Sequence, residues 1–203
     1  MKIICVGRNY AAHAKELNNA VEEEPVIFLK PDTALLSNNQ DFYLPDFSND
    51  IHYEAEVVVK INKAGKHIDE KFAHRYYDSV SVGVDFTARD LQSMLKAKGL
   101  PWERAKAFDG SAVIGSFLPL EDVGNIADLN FSMDLNGQKV QSANTSEMVF
   151  SVDKVIAFVS RFITLKTGDL IYTGTPQGVG KVNVGDHLIG YLGNKELFNF
   201  KVK

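Results

Sequence analysis

Residues 52–61 read HYEAEVVVKI. From Tyr53 to Ile61 residue character alternates: Ala55, Val57, Val59 and Ile61 face one way, Glu54, Glu56 and Lys60 the other, which is the period of a β-strand. The stretch is expected to be a half-buried strand with carboxylates on one face. Like charges so placed repel, and a divalent cation or a nearby basic group relieves the repulsion. An all-oxygen donor set suits a hard ion such as Mg2+ or Mn2+ better than zinc. Asp85, closing an apolar run inside VGVDFTARD (82–90), is a third candidate ligand. Alternation alone favours a plainer reading, in which Glu54 and Glu56 form the solvated face of an edge strand.

Outward from this strand, short apolar runs recur. Ile3 to Val6, Val26 to Leu29, Val80 to Phe86, Leu170 to Thr173, His187 to Tyr191 and Phe198 to Val202 read as strands. Phe131 to Leu135 and Lys139 to Ser142 flank Asn136-Gly137, a pair suited to a type I′ hairpin turn. Gly7 to Asn9 reads as a turn and Tyr10 to Leu17 as a short helix. A second helix is expected from Ala88 to Lys98, stopped by Gly99 and Pro101, and a third from a Ser151 cap to about Phe162. Strands outnumber helices and do not alternate regularly with them. The expected fold class is therefore mixed α+β, predominantly β, and not a doubly wound parallel sheet.

The chain has 203 residues, enough for one substantial core, and no composition shift or linker divides it, so residues 1–203 are expected to form a single domain. A formal charge of -4 argues against a basic nucleic-acid surface. Cys5 is the only cysteine, so neither a disulfide framework nor a cysteine zinc cluster is available. The apolar start of MKIICVGRNY is too short for a signal peptide, and no later run has membrane-span length. A cytoplasmic protein without membrane attachment is the expectation.

His13 and Glu16 lie three apart on the first helix, where the carboxylate can orient the imidazole as a general base; a surface pair of no consequence has the same spacing. Arg8, Lys30, Arg89, Gln92 and Lys106 sit in or beside turns that bound strands, where ligand-binding groups concentrate. Asp90, Lys96 and Lys98 read as a solvated helix face, and His52, His67, His74 and His187 as structural or exposed. TGTPQGVGK (173–181) lacks the P-loop ending. It reads as a tight turn offering backbone amides and the Thr173 or Thr175 hydroxyl to a substrate carboxylate, or as a plain loop.

Six segments, in order, carry a resemblance to a known family: CVGRNYAAHAKEL (5–17), EEPVIFLKP (23–31), HYEAEVVV (52–59), GVDFTARDLQ (83–92), KGLPWERAKAFDGSAVIG (98–115) and FITLKTGDLIYTGTPQGVG (162–180). The chain resembles the fumarylacetoacetate hydrolase family, in its short branch of acylpyruvases and oxaloacetate decarboxylases. The resemblance implies a β-roll of mixed sheets with a few short helices, usually assembled as a homodimer. It implies Mg2+ or Mn2+ on Glu54, Glu56 and Asp85, water activation by His13 and Glu16, and catalytic or substrate contacts from Lys106, Arg8, Gln92 and Thr175. The implied activity is Mg2+-dependent C–C cleavage of small 2-oxo acids, by hydrolysis of 3-acylpyruvates or decarboxylation of oxaloacetate. Isomerase or hydratase action on 2-hydroxy-dienoic acids is the alternative within the family, and a non-catalytic metal- or ligand-binding β domain the alternative outside it. Where the family often has His-His before the first metal glutamate, this chain has His52-Tyr53. The additional N-terminal domain of the larger fumarylacetoacetate hydrolases has no counterpart in the segments matched, which makes fumarylacetoacetate a less suitable substrate.

Overall fold

The computed structural model describes residues 1–16 and 22–203. Among these, an eight-stranded mixed sheet is the main element. Along its path the order is Val26–Lys30, Ile3–Gly7, Leu170–Tyr172, Ala55–Ile61, Tyr77–Asp85, Ala112–Ile114 and Leu35–Leu36, with Leu118–Pro119 pairing beside Tyr77–Asp85. Ile3–Gly7 runs parallel to Leu170–Tyr172 and Leu35–Leu36 parallel to Ala112–Ile114; the other pairs are antiparallel. A four-stranded antiparallel sheet follows the order Gln138–Asn144, Asn130–Leu135, His187–Leu192, Lys195–Lys201. A small third sheet joins Gly180–Lys181, Ile51–Tyr53 and Thr87–Ala88. The fold is mixed α+β with β predominant, as expected.

The strand that decides the fold is Ala55–Ile61, and it is central rather than an edge. It has Leu170–Tyr172 on one side and Tyr77–Asp85 on the other. The half-buried, solvated-face reading is therefore overturned: Ala55, Val57, Val59 and Ile61 enter the larger apolar core, while Val58 on the opposite face packs with Ile3, Cys5 and Tyr172. Alternation misleads here because both faces are covered, and the second face changes character along its length. Lys60 lies over the Phe117 ring, Val58 is buried in apolar company, and Glu56 and Glu54 are buried without it.

Several expected elements shift at their ends. The first helix is Ala11–Glu16, with Tyr10 in a bridge to Met148; the expected end at Leu17 lies outside the described residues. The second is Arg89–Ala97 and the third Val152–Phe162, whose Ser151 Oγ accepts from the Lys154 amide at 3.2 Å. The third buries Val152, Val155, Ile156 and Val159, the stripe a helical period provides. At the hairpin, Asn136 and Gly137 both take positive φ, 54° and 77°, as a type I′ turn requires. The two- and three-residue strands, such as Thr87–Ala88 and Gly180–Lys181, escape the sequence because so short a run shows no period.

Gly83 shows how closely this sheet is packed near Asp85. A Cβ at that position would lie 2.4 Å from the Val113 carbonyl oxygen and 2.9 Å from the Tyr172 ring. Gly83→Ala is expected to lower stability by about 1–3 kcal/mol, the usual cost of overpacking a rigid core. Urea unfolding of the variant checks this; an unchanged midpoint would show that the sheet yields here.

Candidate metal centre

Antiparallel pairing sets Ala55 opposite Val84, so the end of Tyr77–Asp85 lies beside Glu54, and the Asp85 amide donates to the Glu54 carbonyl at 2.8 Å. This brings three carboxylates from two strands together. One oxygen each from Glu54, Glu56 and Asp85 lies within 4.8 Å of the others, and all three residues are buried.

Buried charges persist only when they are paired. Lys106, from the short helix Glu103–Lys106, donates from Nζ to Glu54 Oε2 and Asp85 Oδ2, both at 2.7 Å, and to Thr87 Oγ1 at 2.5 Å. Arg89 pairs with the other oxygen of Glu54 and donates to Gln92 Oε1 at 2.6 Å. Lys30 Nζ lies 2.6 Å from Asp85 Oδ1 and also donates to the Lys106 carbonyl and, at 3.0 Å each, to the Ser111 carbonyl and hydroxyl. The Lys30–Asp85 contact is an ion pair without an aligned hydrogen bond, which leaves Asp85 Oδ1 with an open lone pair.

Glu56 differs from its neighbours. It accepts from the Gly174 amide at 2.7 Å, and among the described residues no cation pairs with it. Burial, aided by the negative charges of Asp85 and Glu54, raises its carboxyl well above the ordinary carboxylate range. For Glu54, burial acts in the same direction, but Lys106 and Arg89 outweigh it and hold the carboxyl below that range. Lys106 is raised, because Asp85 and Glu54 outweigh its desolvation. A buried all-oxygen set with one carboxylate short of positive charge and another with an open lone pair fits a hard divalent cation.

A cleft of about 450 Å³, counted to its open mouth, lies over this cluster. Its lining includes Arg8, His13, Gln92, Lys106 and Thr175 together with the three carboxylates, so eight of the nine sequence-derived site residues meet there. Phe28 and Trp102 form an aromatic wall, ring centroids 6.0 Å apart, and Lys106 Nζ lies 5.2 Å from the Phe28 centroid. Glu16 stands behind His13: one oxygen lies 3.1 Å from His13 Nδ1 and the other accepts from the Gly178 amide at 3.0 Å. Arg8 has a left-handed backbone, φ 60°, and pairs with Glu22; a non-glycine residue held there is the kind of strain that collects at functional sites.

Three readings are corrected. In the TGTPQGVGK loop, the Thr173 hydroxyl donates to the Val57 carbonyl at 2.8 Å and the Gly174 amide to Glu56, so these groups serve the framework; Thr175 reaches the cleft. Lys96 is part of the cleft lining rather than of a solvated face, since the helix Arg89–Ala97 presents it on the side that carries Arg89 and Gln92. Asp90 accepts from Ser48 Oγ at 2.6 Å, closing the preceding loop onto this helix. Gln141 was not among the expected site residues, although its buried amide bonds both Ala55 of the strand Ala55–Ile61 and Thr175. It lies in the hairpin strand Gln138–Asn144, remote in sequence from every other site residue, and a lone buried glutamine carries no pattern.

An acidic triad buried in a sheet, with cations around it and the His13–Glu16 pair at its mouth, marks a metal-dependent enzyme. The family described as fumarylacetoacetate (FAA) hydrolase C-terminal matches residues 2–196, and the chain belongs to that family. It is 41% identical over 201 residues to the mitochondrial oxaloacetate tautomerase of Mus musculus, covering 99% of this chain and 91% of the mouse protein. It is 43% identical over 185 residues to the mitochondrial oxaloacetate decarboxylase of Dictyostelium discoideum, covering 91% and 85% respectively. Its fold superposes with a TM-score of 0.94 on the fumarylpyruvate hydrolase of Pseudomonas aeruginosa solved with Mn2+ and pyruvate, at 38% identity, covering 100% of this chain and 89% of that one.

Lys30 is the brace that holds Asp85, with a side chain 0% exposed against 1% for Asp85. Lys30→Met leaves the carboxylate buried beside one ammonium instead of two and removes a donor from three carbonyls. Breaking a buried pair from one side costs about 3–5 kcal/mol. Chemical denaturation is expected to show a loss of that order; a variant within 1 kcal/mol of the parent would show that Asp85 is held by Lys106 alone.

Proposed function

We propose that this chain catalyses Mg2+- or Mn2+-dependent C–C bond cleavage on small 2-oxo acids of the oxaloacetate and 3-acylpyruvate type, with residues 1–203 acting as one catalytic domain. The observation that carries the reading is the buried cluster Glu54, Glu56 and Asp85 opening into a cleft that also contains Arg8, Arg89 and Lys106. An anionic chelating ligand is what such a cleft suits, and the names of the relatives, which act on oxaloacetate or fumarylpyruvate, support that class.

Glu54, Glu56 and Asp85 would hold the divalent cation, which would supply Lewis-acid polarisation of the bound 2-oxo acid. Lys106 and Arg89 already balance the ligand carboxylates, and with Arg8 they stabilise negative charge that develops on the substrate oxygen. His13, its Nδ1 held by Glu16, presents Nε2 as the base. Glu16 cannot swing away easily, since the Gly178 amide holds its second oxygen. Thr175 and Gln92 orient the substrate carboxylate.

In hydrolysis, His13 removes a proton from water as its oxygen bonds to the distal carbonyl carbon of a 3-acylpyruvate. The C–C bond then breaks, its electron pair leaves with the pyruvate fragment, and the proton returns to that carbon, giving a carboxylic acid and pyruvate. In decarboxylation of oxaloacetate, the bond to the distal carboxylate breaks, carbon dioxide departs, and a proton is delivered to C3. The name oxaloacetate tautomerase supports a second reaction at the same cleft, in which a base takes a proton from C3 and a proton is placed on the 2-oxo oxygen, giving the enol with every C–C bond intact. That reaction needs His13 but no water; isomerisation of 2-hydroxy-dienoic acids stands beside it as the expected alternative, supported by the name of the 5-carboxymethyl-2-hydroxymuconate delta-isomerase of Mycobacterium smegmatis, 32% identical and matching 99% of this chain.

The homodimer belongs to the same reading and is supported by the exposed Leu29 and Leu100 beside the sheet's outer strand Val26–Lys30. A metal-activated cytoplasmic enzyme without nucleic-acid or membrane partners completes it. No helix among the described residues is long and apolar enough to cross a membrane.

Purified protein stripped with EDTA is expected to be inactive on acetylpyruvate and oxaloacetate and to recover with added Mg2+, followed by loss of ultraviolet absorbance. Glu16→Ala is expected to lower acetylpyruvate hydrolysis by about 100-fold or more, the scale of general-base assistance, with Mg2+ activation intact. Equal turnover by Glu16→Ala would remove the pair from the mechanism, and activity unaffected by EDTA would remove the metal.

A further inference from the structure

Gln141 lies on the second sheet, is 2% exposed, and spends its whole amide on two elements of the centre. The strand Leu170–Tyr172 pairs with Ala55–Ile61 only from Val58 to Lys60; Thr173 adds one more bond, from its amide to the Val57 carbonyl at 3.1 Å. The chain then turns away at Gly174, φ 104°, where a Cβ would lie 2.7 Å from Asn9 Cβ. The metal strand therefore loses its neighbour where Glu54 and Glu56 begin, and the Ala55 amide between them has no ladder partner on that side. Gln141 Oε1 takes that place, accepting from Ala55 N at 2.8 Å.

A backbone amide only donates, so the oxygen of the Gln141 amide has to face Ala55 and its nitrogen has to face the other way. Nε2 donates to Thr175 Oγ1 at 2.9 Å and to the Pro176 carbonyl at 3.0 Å. Gln141 occupies one of the two lone pairs of the Thr175 hydroxyl and, having no hydrogen-bond acceptor on Nε2, leaves the hydroxyl hydrogen to be given elsewhere. The hydroxyl donates only weakly, to the Pro176 carbonyl at 3.5 Å, while the residue lines the cleft.

We propose that Gln141 is a positioning residue that fixes Thr175 as a hydrogen-bond donor to a substrate oxygen, and ties that donor to the strand bearing Glu54 and Glu56. The proposal rests on the 2-oxo acid reading for the identity of the substrate. It makes the amide a polarity relay: the metal strand sets the orientation of Gln141, and Gln141 sets the direction of the Thr175 hydroxyl. Ligand oxygens and metal ligands then share one rigid reference, through a residue that touches neither the ligand nor the ion.

The test is a cycle of Gln141→Glu, Thr175→Val and the double variant, read by the KM for oxaloacetate, by kcat, and by Mn2+ affinity from calorimetry. Glutamate keeps the acceptor for Ala55 but cannot donate to Thr175, whose hydroxyl then turns towards it. Each single variant is expected to raise KM about tenfold, the scale of one hydrogen bond to a charged group, with Mn2+ affinity within about twofold. The double variant is expected to be no worse than either single variant, a non-additivity that a merely structural role would not produce. Additive losses, or an unchanged KM in Gln141→Glu, would overturn the proposal. Gln141→Met, uncharged and of similar length, stands in should the charged variant not fold, and it too must raise KM; failure of both to fold would make Gln141 structural and overturn the proposal. If the parent enzyme leaves oxaloacetate untouched, the functional reading fails by itself. The relay is then judged by Mn2+-dependent oxalate binding, which needs chelation without turnover.

Discussion

Three carboxylates buried within 4.8 Å of one another are the constraint around which this molecule is arranged. Such a cluster is strongly unfavourable by itself, and the fold answers it from separate parts of the chain. Lys30 comes from the second strand, Lys106 from the short helix after Pro101, and Arg89 from the start of the helix that follows Asp85. Each cation also bonds a second group: Lys30 bonds carbonyls, Lys106 the Thr87 hydroxyl, and Arg89 the Gln92 amide. The pairs therefore fix the geometry of the loops as well as the charge balance. Among the described residues Glu56 has a backbone amide and no paired cation, which leaves room for a divalent ion to complete the balance.

That arrangement links the sheets to the cleft. Ala55–Ile61 and the adjoining Tyr77–Asp85 bring Glu54, Glu56 and Asp85 together because they pair in the middle of the sheet. Leu170–Tyr172, on the other side of Ala55–Ile61, ends early, and the departing chain at Gly174 supplies an amide to Glu56 and places Thr175 in the cleft. The second sheet reaches across through Gln141 to replace the missing ladder bond. The His13–Glu16 pair stands on the first helix, outside the sheet, and is tied to the same loop through Glu16 and Gly178.

Much of this was legible in the sequence, for reasons that differ by residue. The Asn136-Gly137 turn and the Ser151 cap announce themselves through local backbone chemistry, and both stand where expected. The alternation of Glu54, Ala55, Glu56 and Val57 told the strand and its faces but misplaced it at an edge, because period says nothing of what covers a face. Convergence of Arg8, Gln92, Lys106 and Thr175 came from the ordered resemblance; spacing alone could not bring four scattered residues together. Gln141 shows where reading ends: it acts through a backbone amide and a hydroxyl distant in sequence, and such partners leave no local signature; the position of Lys30 beside a turn likewise did not reveal Asp85 as its partner. Lys96 was misread because charge on an amphipathic helix does not distinguish solvent from a polar cleft.

The central claim is that the buried triad holds one divalent ion and that Glu56 must lose its proton to do so. A carboxyl raised by burial favours the protonated form in the metal-free fold, so its ionisation costs stability as pH rises through the raised value; a bound cation reverses that preference. The most direct measurement is calorimetric titration of metal-stripped protein with Mn2+ at neutral and acidic pH, in buffers of different ionisation enthalpy. A buried triad predicts one ion per chain, proton release on binding, and affinity that weakens as pH falls. Binding with no proton release and no dependence on pH, or no binding at all, would contradict it.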